Sequence, residues 1–382
     1  MNRETSKNIC KVKVCHMTSV HQRYDVRIFQ KECVSLSKAG YQVTLIVNDE
    51  FQDELCQGVL ILSSGIEHMN RINRMLFATK VVVEMALKCK ADIYCIHDPE
   101  LLRFSKQLTQ TGAKVIFDSH EFYALQLQEK KYIPSFLRKL ASKFYQKMEK
   151  HYLKYITAVL TPCTLNGKNY FEKIAAQTIF ISNAPKLEEF YYRYKESNRE
   201  EKMMCHVGSL TYERGIYHLI KAAGLANCKL SIAGNYSSKE FKEKIQSMPE
   251  YKYVIDYGYL SREKVFDLYK RCNIGVSTLL DKGQYYNIDT FPTKIFEYMA
   301  MGLPVIISDT CYAKRLNAKY DFGICVDPES PVEIKDAILF LNGNPALAKK
   351  KGENGRKLIK NFFNWEREEK KLITLYESLE MK

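Results

Sequence analysis

The segment Ile288 to Ser308, IDTFPTKIFEYMAMGLPVIIS, gathers three charged side chains around the start of one helix: Asp289, Lys294 and Glu297. Lys294 and Glu297 are three apart and share a helical face, so they could be no more than an ion pair on a solvated surface. The same spacing suits a second chemistry. A helix N-terminus offers backbone N–H groups and the positive end of its dipole to an anion. In that reading the open helix N-terminus binds phosphate through its backbone N–H groups, Lys294 adds charge, and Glu297 accepts hydrogen bonds from hydroxyl groups. Spacing alone leaves both readings open.

Further polar residues fall at the ends of strand-like runs. DIYCIHDPELL ends in His97 and Asp98, and VIFDSHEFY ends in Asp118, His120 and Glu121. CHVGSLTYERG ends in Gly208 and Ser209 and, past a loop, in Arg214 and Gly215; YVIDYGYL ends in Gly258, Tyr259 and Leu260. Singly, each has a plain structural role, the histidines packing strand ends and the glycines making turns. Together they line one edge of the sheets. No Walker loop and no complete GxGxxG is present, which argues against a P-loop ATPase and an ordinary dehydrogenase.

The elements that must position these residues can be read from punctuation and period. Thr290 is placed to cap a helix that Pro292 opens, Gly302 suits its left-handed end, and Pro304 stops any continuation. Val305, Ile306 and Ile307 then form a short buried strand. Elsewhere KVKVCHM, YQVTLIVN, DIYCIH and KVIFDSH read as strands alternating with helical runs, and the pattern restarts at MMCHVGSL. The expected class is α/β: two doubly wound Rossmann-like domains facing a cleft, where ligands of such sheets bind. The expected limits are 1–190 and 191–365, with a linker near 186–202 and a helix over 366–382 packing back on the first domain.

The chain has 382 residues and a formal net charge of +14, which asks for an anionic partner. No nucleic-acid motif accompanies the charge, so nucleic acid is not expected. One basic stretch, Ser135 to Ile156, sets Phe136, Leu137, Leu140, Phe144 and Met148 at helical spacing among Arg138, Lys139, Lys143, Lys147, Lys150 and Lys154. It reads either as a packed domain helix with a solvated basic face or as a helix lying on an anionic bilayer. Twelve cysteines without a CxxC pair, and opening residues without an apolar signal core, give a cytoplasmic expectation. In the second reading of the basic helix the protein attaches to the inner face of the cell membrane. Zinc is not expected.

These motifs resemble the retaining glycosyltransferases of family 4, which have the GT-B fold, over nearly the whole chain. FPTKIFEYMAMGLPVIISD is close to the family's most specific segment, while IHDPELL, GSLTYERGIYHLIKA and the opening HMTSVHQRYDVRIFQKECVSLSKAGYQVTLIV resemble weaker ones. The resemblance implies that Glu297 holds the nucleotide ribose and that Asp289, where the family usually has Glu, lies near the donor sugar and diphosphate. Gly208, Ser209, Arg214, Phe291, Pro292, Thr293 and Lys294 would line the donor phosphates, with Tyr259 and Leu260 at the base. Ser209 stands where the family has Arg, and Arg214 where it has Lys. His97 matches a histidine that approaches the transferred sugar, so His97, Arg214 and Asp289 are the implied catalytic set. His21, Asp25 and His120 fall on the acceptor side.

The implied reaction moves a sugar from a UDP or GDP sugar to a hydroxyl of a saccharide or lipid-linked acceptor, with retention and with neither cofactor nor metal. Surface polysaccharide or glycolipid synthesis is the implied context. Rival readings are a sugar-nucleotide epimerase, a phosphorylase or an inverting transferase on the same fold, and a basic scaffold without enzymatic activity. A phosphorylase would need a pyridoxal-binding lysine environment, and none is apparent.

Overall fold

The computed structural model describes residues 12–66, 70–128, 130, 133–191, 193, 203–282 and 286–380. The chain divides into two units, one of Met1–Thr164, Lys168–Ile181 and Glu368–Lys382, the other of Leu165–Gly167 and Ser182–Arg367. The passage to the second unit falls at Ser182 rather than at 191, because helix Leu187–Tyr191 buries Phe190 in that unit's core beside Phe266. Most of the expected linker, 186–202, lies outside the described residues beyond position 193.

In the first unit the strands are β1 (Lys13–Met17), β2 (Gln42–Val47), β3 (Glu54–Cys56), β4 (Val59–Ser63), β5 (Ile93–Ile96), β6 (Lys114–Asp118), β7 (Ala158–Thr161) and β8 (Thr178–Phe180). Their order is β3-β4-β2-β1-β5-β6-β7-β8, parallel except for the β3–β4 pair. The central strands are short and apolar, and β5 and β7 are buried throughout, as strands covered on both faces must be. Helix Val26–Lys38 starts at Asp25, whose carboxylate accepts from the N–H groups of Arg27 and Ile28.

The second unit has β9 (Met203–Val207), β10 (Lys229–Ala233), β11 (Val254–Asp256), β12 (Ile274–Ser277), β13 (Val305–Ser308) and β14 (Gly323–Val326). All pairs are parallel, in the order β11-β10-β9-β12-β13-β14. This is the doubly wound order that reverses between its first and fourth strands, here β9 and β12; in the first unit the same switch lies between β1 and β5.

Helix Thr293–Ala300 leads from that switch into β13. Pro292 is its N-cap residue, and no side chain caps it, so the expected Thr290 cap is absent. Its far end closes as a Schellman turn: Gly302 has φ +64°, Gly302 N donates to Met299 O, and Leu303 N donates to Tyr298 O at 2.9 Å. Helix Pro345–Asn361 crosses close by, and a Cβ on its Gly352 would overlap the Gly302 carbonyl.

The basic stretch forms helix Ser135–Tyr152, but its packing inverts the first expectation. Ser142, Tyr145 and Glu149 are buried, while Phe136, Leu140 and Phe144 are exposed. The inward face rests on the short helix Tyr123–Gln126, where Ser142 Oγ donates to Ala124 O at 2.7 Å and Tyr145 joins Ala124 and Leu127. Among the described residues no helix is long and apolar enough to cross a membrane.

Candidate functional site

The switch point of the second unit is built from the ends of β9 and β12 and the start of helix Thr293–Ala300. The ion pair between Lys294 and Glu297, one of the two readings that the spacing left open, does not form there. Lys294 is buried and its Nζ lies 2.9 Å from His206 Nε2. His206 Nδ1 lies 3.2 Å from Val276 O, which fixes that nitrogen as the donor and leaves Nε2 to accept from the ammonium. A Cβ on Gly208 would stand 3.4 Å from Lys294 Nζ, so the charge lies against the glycine turn after β9. Burial, then the neighbouring Arg214 charge, hold the Lys294 pKa well below its ordinary value. Burial, then Lys294 and Arg214, do the same to His206. Two basic side chains thus approach one another beside a helix N-terminus, the arrangement that an anion would relieve.

Glu297 turns another way. Its Oε2 accepts from Tyr269 Oη at 2.8 Å, and its Oε1 accepts from the Arg262 guanidinium. Arg262 also reaches Glu189 at 2.7 Å and lies over the Phe266 ring. Glu297 is itself almost covered, whereas Arg262 is about half exposed, so the arginine is the movable part of the pair. Asp289 accepts from Gly167 N at 2.5 Å, with Arg315 at 3.7 Å. It is anchored by a short bridge between Leu165 and Ile288.

Of the other expected donor residues, Arg214 is half-buried, with its backbone N–H on Thr211 Oγ1. Ser209 is exposed, and Gly208 N donates to Ala233 O at 2.8 Å. Phe291 is a core residue among Phe296, Tyr312 and Phe322, so only its backbone is available to a ligand. Pro292 carries no N–H, and Ile295 N is spent on Pro292 O, which leaves Thr293 and Lys294 as the N–H groups of that first turn. Tyr259 stands 78% exposed and Leu260 packs on the core.

The switch point of the first unit carries a different set. Asp118 is wholly buried and takes a bidentate guanidinium from Arg27, at 2.6 and 2.8 Å; Arg27 also donates to Ile181 O at 2.9 Å. Burial opposes ionisation of Asp118, but Arg27 and His120 outweigh it and hold its pKa far down. Glu32, 3.2 Å from Arg27, is pushed the other way, its pKa raised by burial and by Asp118. His97 Nδ1 lies 3.2 Å from Asp118, and His97 Nε2 lies 2.8 Å from His16 Nδ1, whose other nitrogen faces Tyr376 Oη at 3.5 Å. A single consistent set of tautomers results: Tyr376 donates to His16, His16 to His97, and His97 to Asp118. Burial lowers the pKa of both imidazoles.

His97 therefore has both ring nitrogens engaged and 1% of its surface exposed. The accessible members of this cluster are His21 and His120. Their rings are 4.6 Å apart, and His120 Nε2 lies 2.9 Å from Asp118. His21 stands between Asp25 at 3.4 Å and Asp98 at 3.6 Å. Burial would lower the His21 pKa, but the Asp25 hydrogen bond and the surrounding carboxylates raise it. Asp98 is fixed by Thr18 Oγ1 at 2.9 Å and Ser19 N at 2.5 Å.

Among the described residues two groups have metal-ligand chemistry, His16, Glu32, Cys95 and His97, and His97, Asp118 and His120. Arg27 already supplies the cation that their carboxylates face, which works against a metal ion in either. The residues that the sequence did not single out are His16, Arg27, Glu32, His206, Arg262 and Tyr376. Charged side chains inside apolar runs, such as Arg27 and Glu32 in VRIFQKEC, were the available signal.

Residues 188–358, which lie within the second unit, match the sequence model of the family described as glycosyl transferases group 1. An uncharacterized glycosyltransferase of Methanocaldococcus jannaschii is 26% identical over 183 residues, 46% of this chain and 45% of that protein, so the match spans less than half the relative's length. Sucrose-phosphate synthase from Thermosynechococcus elongatus superposes with a TM-score of 0.75 at 16% identity, covering 97% of this chain and 99% of that one. Anabaena HepE in complex with UDP and glucose gives a TM-score of 0.69 at 12% identity, covering 96% of this chain and 100% of that one. At these identities the likeness is one of fold, and the fold is GT-B.

Proposed function

We propose that the protein transfers a sugar from a nucleoside diphosphate sugar to an acceptor hydroxyl, with retention of configuration, in the synthesis of a surface polysaccharide or glycolipid. The observation that carries this reading is the buried Lys294, beside Arg214 and a helix N-terminus at the switch point of the group 1 domain. Cleaving a glycosyl diphosphate leaves charge on the departing phosphate. Donors already aimed at that charge in a dry site lower the barrier more than the same groups would in water. Lys294, Arg214 and the N–H groups of Thr293 and Lys294 supply such donors. Once its arginine swings aside, Glu297 accepts the ribose hydroxyls, and Asp289 orients the sugar.

UDP is the favoured base, since the HepE structures hold UDP and UDP-glucose. Retention is supported by the resemblance of the segment from Phe291 to Asp309 to retaining enzymes. The acceptor hydroxyl attacks the face the diphosphate leaves, and the departing phosphate takes its proton. His21, Asp25 and His120, with Asp98 behind them, offer donors and acceptors to a polyhydroxylated acceptor.

A thermal-shift screen against UDP, GDP, ADP and their sugars tests the donor. One of them at ~100 times its dissociation constant should stabilise the protein by about 2.7 kcal/mol. Labelled donor with NMR of the product then reads the anomer. Transfer with inversion, or recovery of an epimerised nucleotide sugar with no transfer, would replace this reading by one of its rivals.

A further inference from the structure

Helix Ser135–Tyr152 turns a row of large apolar side chains outward. Phe136, Leu140 and Phe144 recur every fourth residue and are 80%, 64% and 71% exposed. At about 100° per residue they lie opposite Ser142, Tyr145 and Glu149, the face that packs inward. A helix that only needed to cover its domain would place these rows the other way round. Lys139, Lys143, Lys147 and Lys150, all exposed, run along one border of the row.

A second outward row lies on helix Arg71–Lys88 of the same unit, where Ile72, Leu76 and Phe77 are exposed. The two helices are tied together. Arg71 donates to Tyr123 Oη at 2.7 Å, and the Tyr123 ring meets Tyr145 edge-on at 4.9 Å, on the inward face of the basic helix.

We propose that these two rows form a surface that inserts into the interface of an anionic bilayer, with the lysines at headgroup level and Phe136, Leu140, Phe144, Ile72, Leu76 and Phe77 among the upper acyl chains. Charge decides the occupant: a nucleic-acid backbone would use the lysines and leave the apolar rows in water, and a neutral protein partner would have no use for the lysines. An anionic bilayer satisfies both at once, with an apolar face entering the acyl boundary and cations staying among the headgroups. The surface works independently of the proposed transfer reaction. Joined to it, it narrows the acceptor to a saccharide carried on a lipid.

The test uses the full chain and vesicles of phosphatidylcholine with or without phosphatidylglycerol. Wild type should co-sediment with the anionic vesicles and keep part of that binding at about 0.5 M salt, where screening leaves little beyond close contact. The triple substitution Phe136→Ser, Leu140→Ser, Phe144→Ser lies on exposed positions and should keep the melting temperature. It should lose at least ten-fold in partitioning at both salt levels, and Lys139→Glu with Lys143→Glu should lose it mainly at low salt. Phe144→Trp should be quenched by lipids brominated near the headgroup, against the constant background of the buried Trp365. Vesicle binding of the triple serine variant equal to wild type would overturn the proposal. So would a wild-type dimer in lipid-free sedimentation that the serine variant loses, since the rows would then belong to a second copy of this chain. Transfer to a soluble acceptor is measured separately, so failure at the membrane and failure of the reaction cannot be confused.

Discussion

The two switch points bury charge in opposite ways. In the first unit Asp118 is enclosed by Arg27, His97 and His120, and its pKa is driven down: each charge has found its counterpart within the protein. In the second unit Lys294 is enclosed by a neutral histidine and a neighbouring arginine, and its pKa is driven down as well, which for a lysine means that its charge is opposed. A cluster complete in itself gains little from a ligand. A cluster in which burial and a neighbouring arginine oppose a lysine's charge would gain more from the proposed diphosphate. Burial opposes the charge at both switch points; what separates them is that Asp118 is compensated by Arg27 and His120, whereas Lys294 is opposed further by Arg214.

That contrast can be broken most forcefully at Asp118. Asp118→Asn leaves the buried Arg27 short of its charge, which should cost about 3–5 kcal/mol in urea unfolding. A loss below about 1 kcal/mol would show that the cluster is not held by that pair. At Lys294 the same operation should have the opposite cost. Lys294→Met removes an opposed charge, so stability should hold or rise while turnover falls about 10²–10³-fold. Stability and turnover falling together would equate the two sites.

Lys294 also predicts a proton. Its pKa is depressed in the free protein and an anion raises it, so nucleoside diphosphate binding should take up protons. Calorimetry in buffers of different ionisation enthalpy reads this uptake, which Lys294→Met should abolish. Without ligand the sign is also fixed. The folded form binds fewer protons than the unfolded between the depressed pKa and the ordinary value, so Lys294 makes stability rise with pH across that window. Glu297→Gln should weaken nucleotide binding by about 1.5–3 kcal/mol, the worth of hydrogen bonds to a charged group. Unchanged affinity would leave Glu297 as the anchor of Arg262 and nothing more.

The smallest effect belongs to His21. Its folded pKa is raised, so the stability it gives is full below about pH 6.5 and fades as pH rises through the folded value. His16 and His97 are lowered, so their share is present above about pH 6.5 and is lost on acidification. Urea midpoints of wild type and His21→Gln should therefore converge at alkaline pH and separate at acid pH.

The sequence made the second switch point legible because its helix is bounded by Pro292, Gly302 and Pro304, residues whose backbone limits are local. The alternation of runs made the doubly wound order legible for the same reason. What stayed hidden depended on distance along the chain. Arg27 meets Asp118 across 91 residues, and Arg262 meets Glu297 across 35. His206 sits in MMCHV and reads as one more strand residue until Lys294 is folded over it. For the basic helix the period was plain but the facing was not. A row of Phe136, Leu140 and Phe144 has the same spacing whether it looks inward or outward, and only Tyr123 and Ala124 beneath the opposite face decide.

The contact between Gly352 and the Gly302 carbonyl makes helix Thr293–Ala300 a lever. It is a rigid rod of eight residues, about 12 Å long, seated at one end and carrying Lys294 at the other. Adding one methyl group by Gly352→Ala would push on the seated end and should shift the free end, where the proposed reaction has the ammonium and the Thr293 N–H point at a phosphate. Position 352 therefore bears on the geometry of the proposed anion site without touching it. A library selected for transfer activity should keep glycine there as strictly as it keeps Lys294 itself.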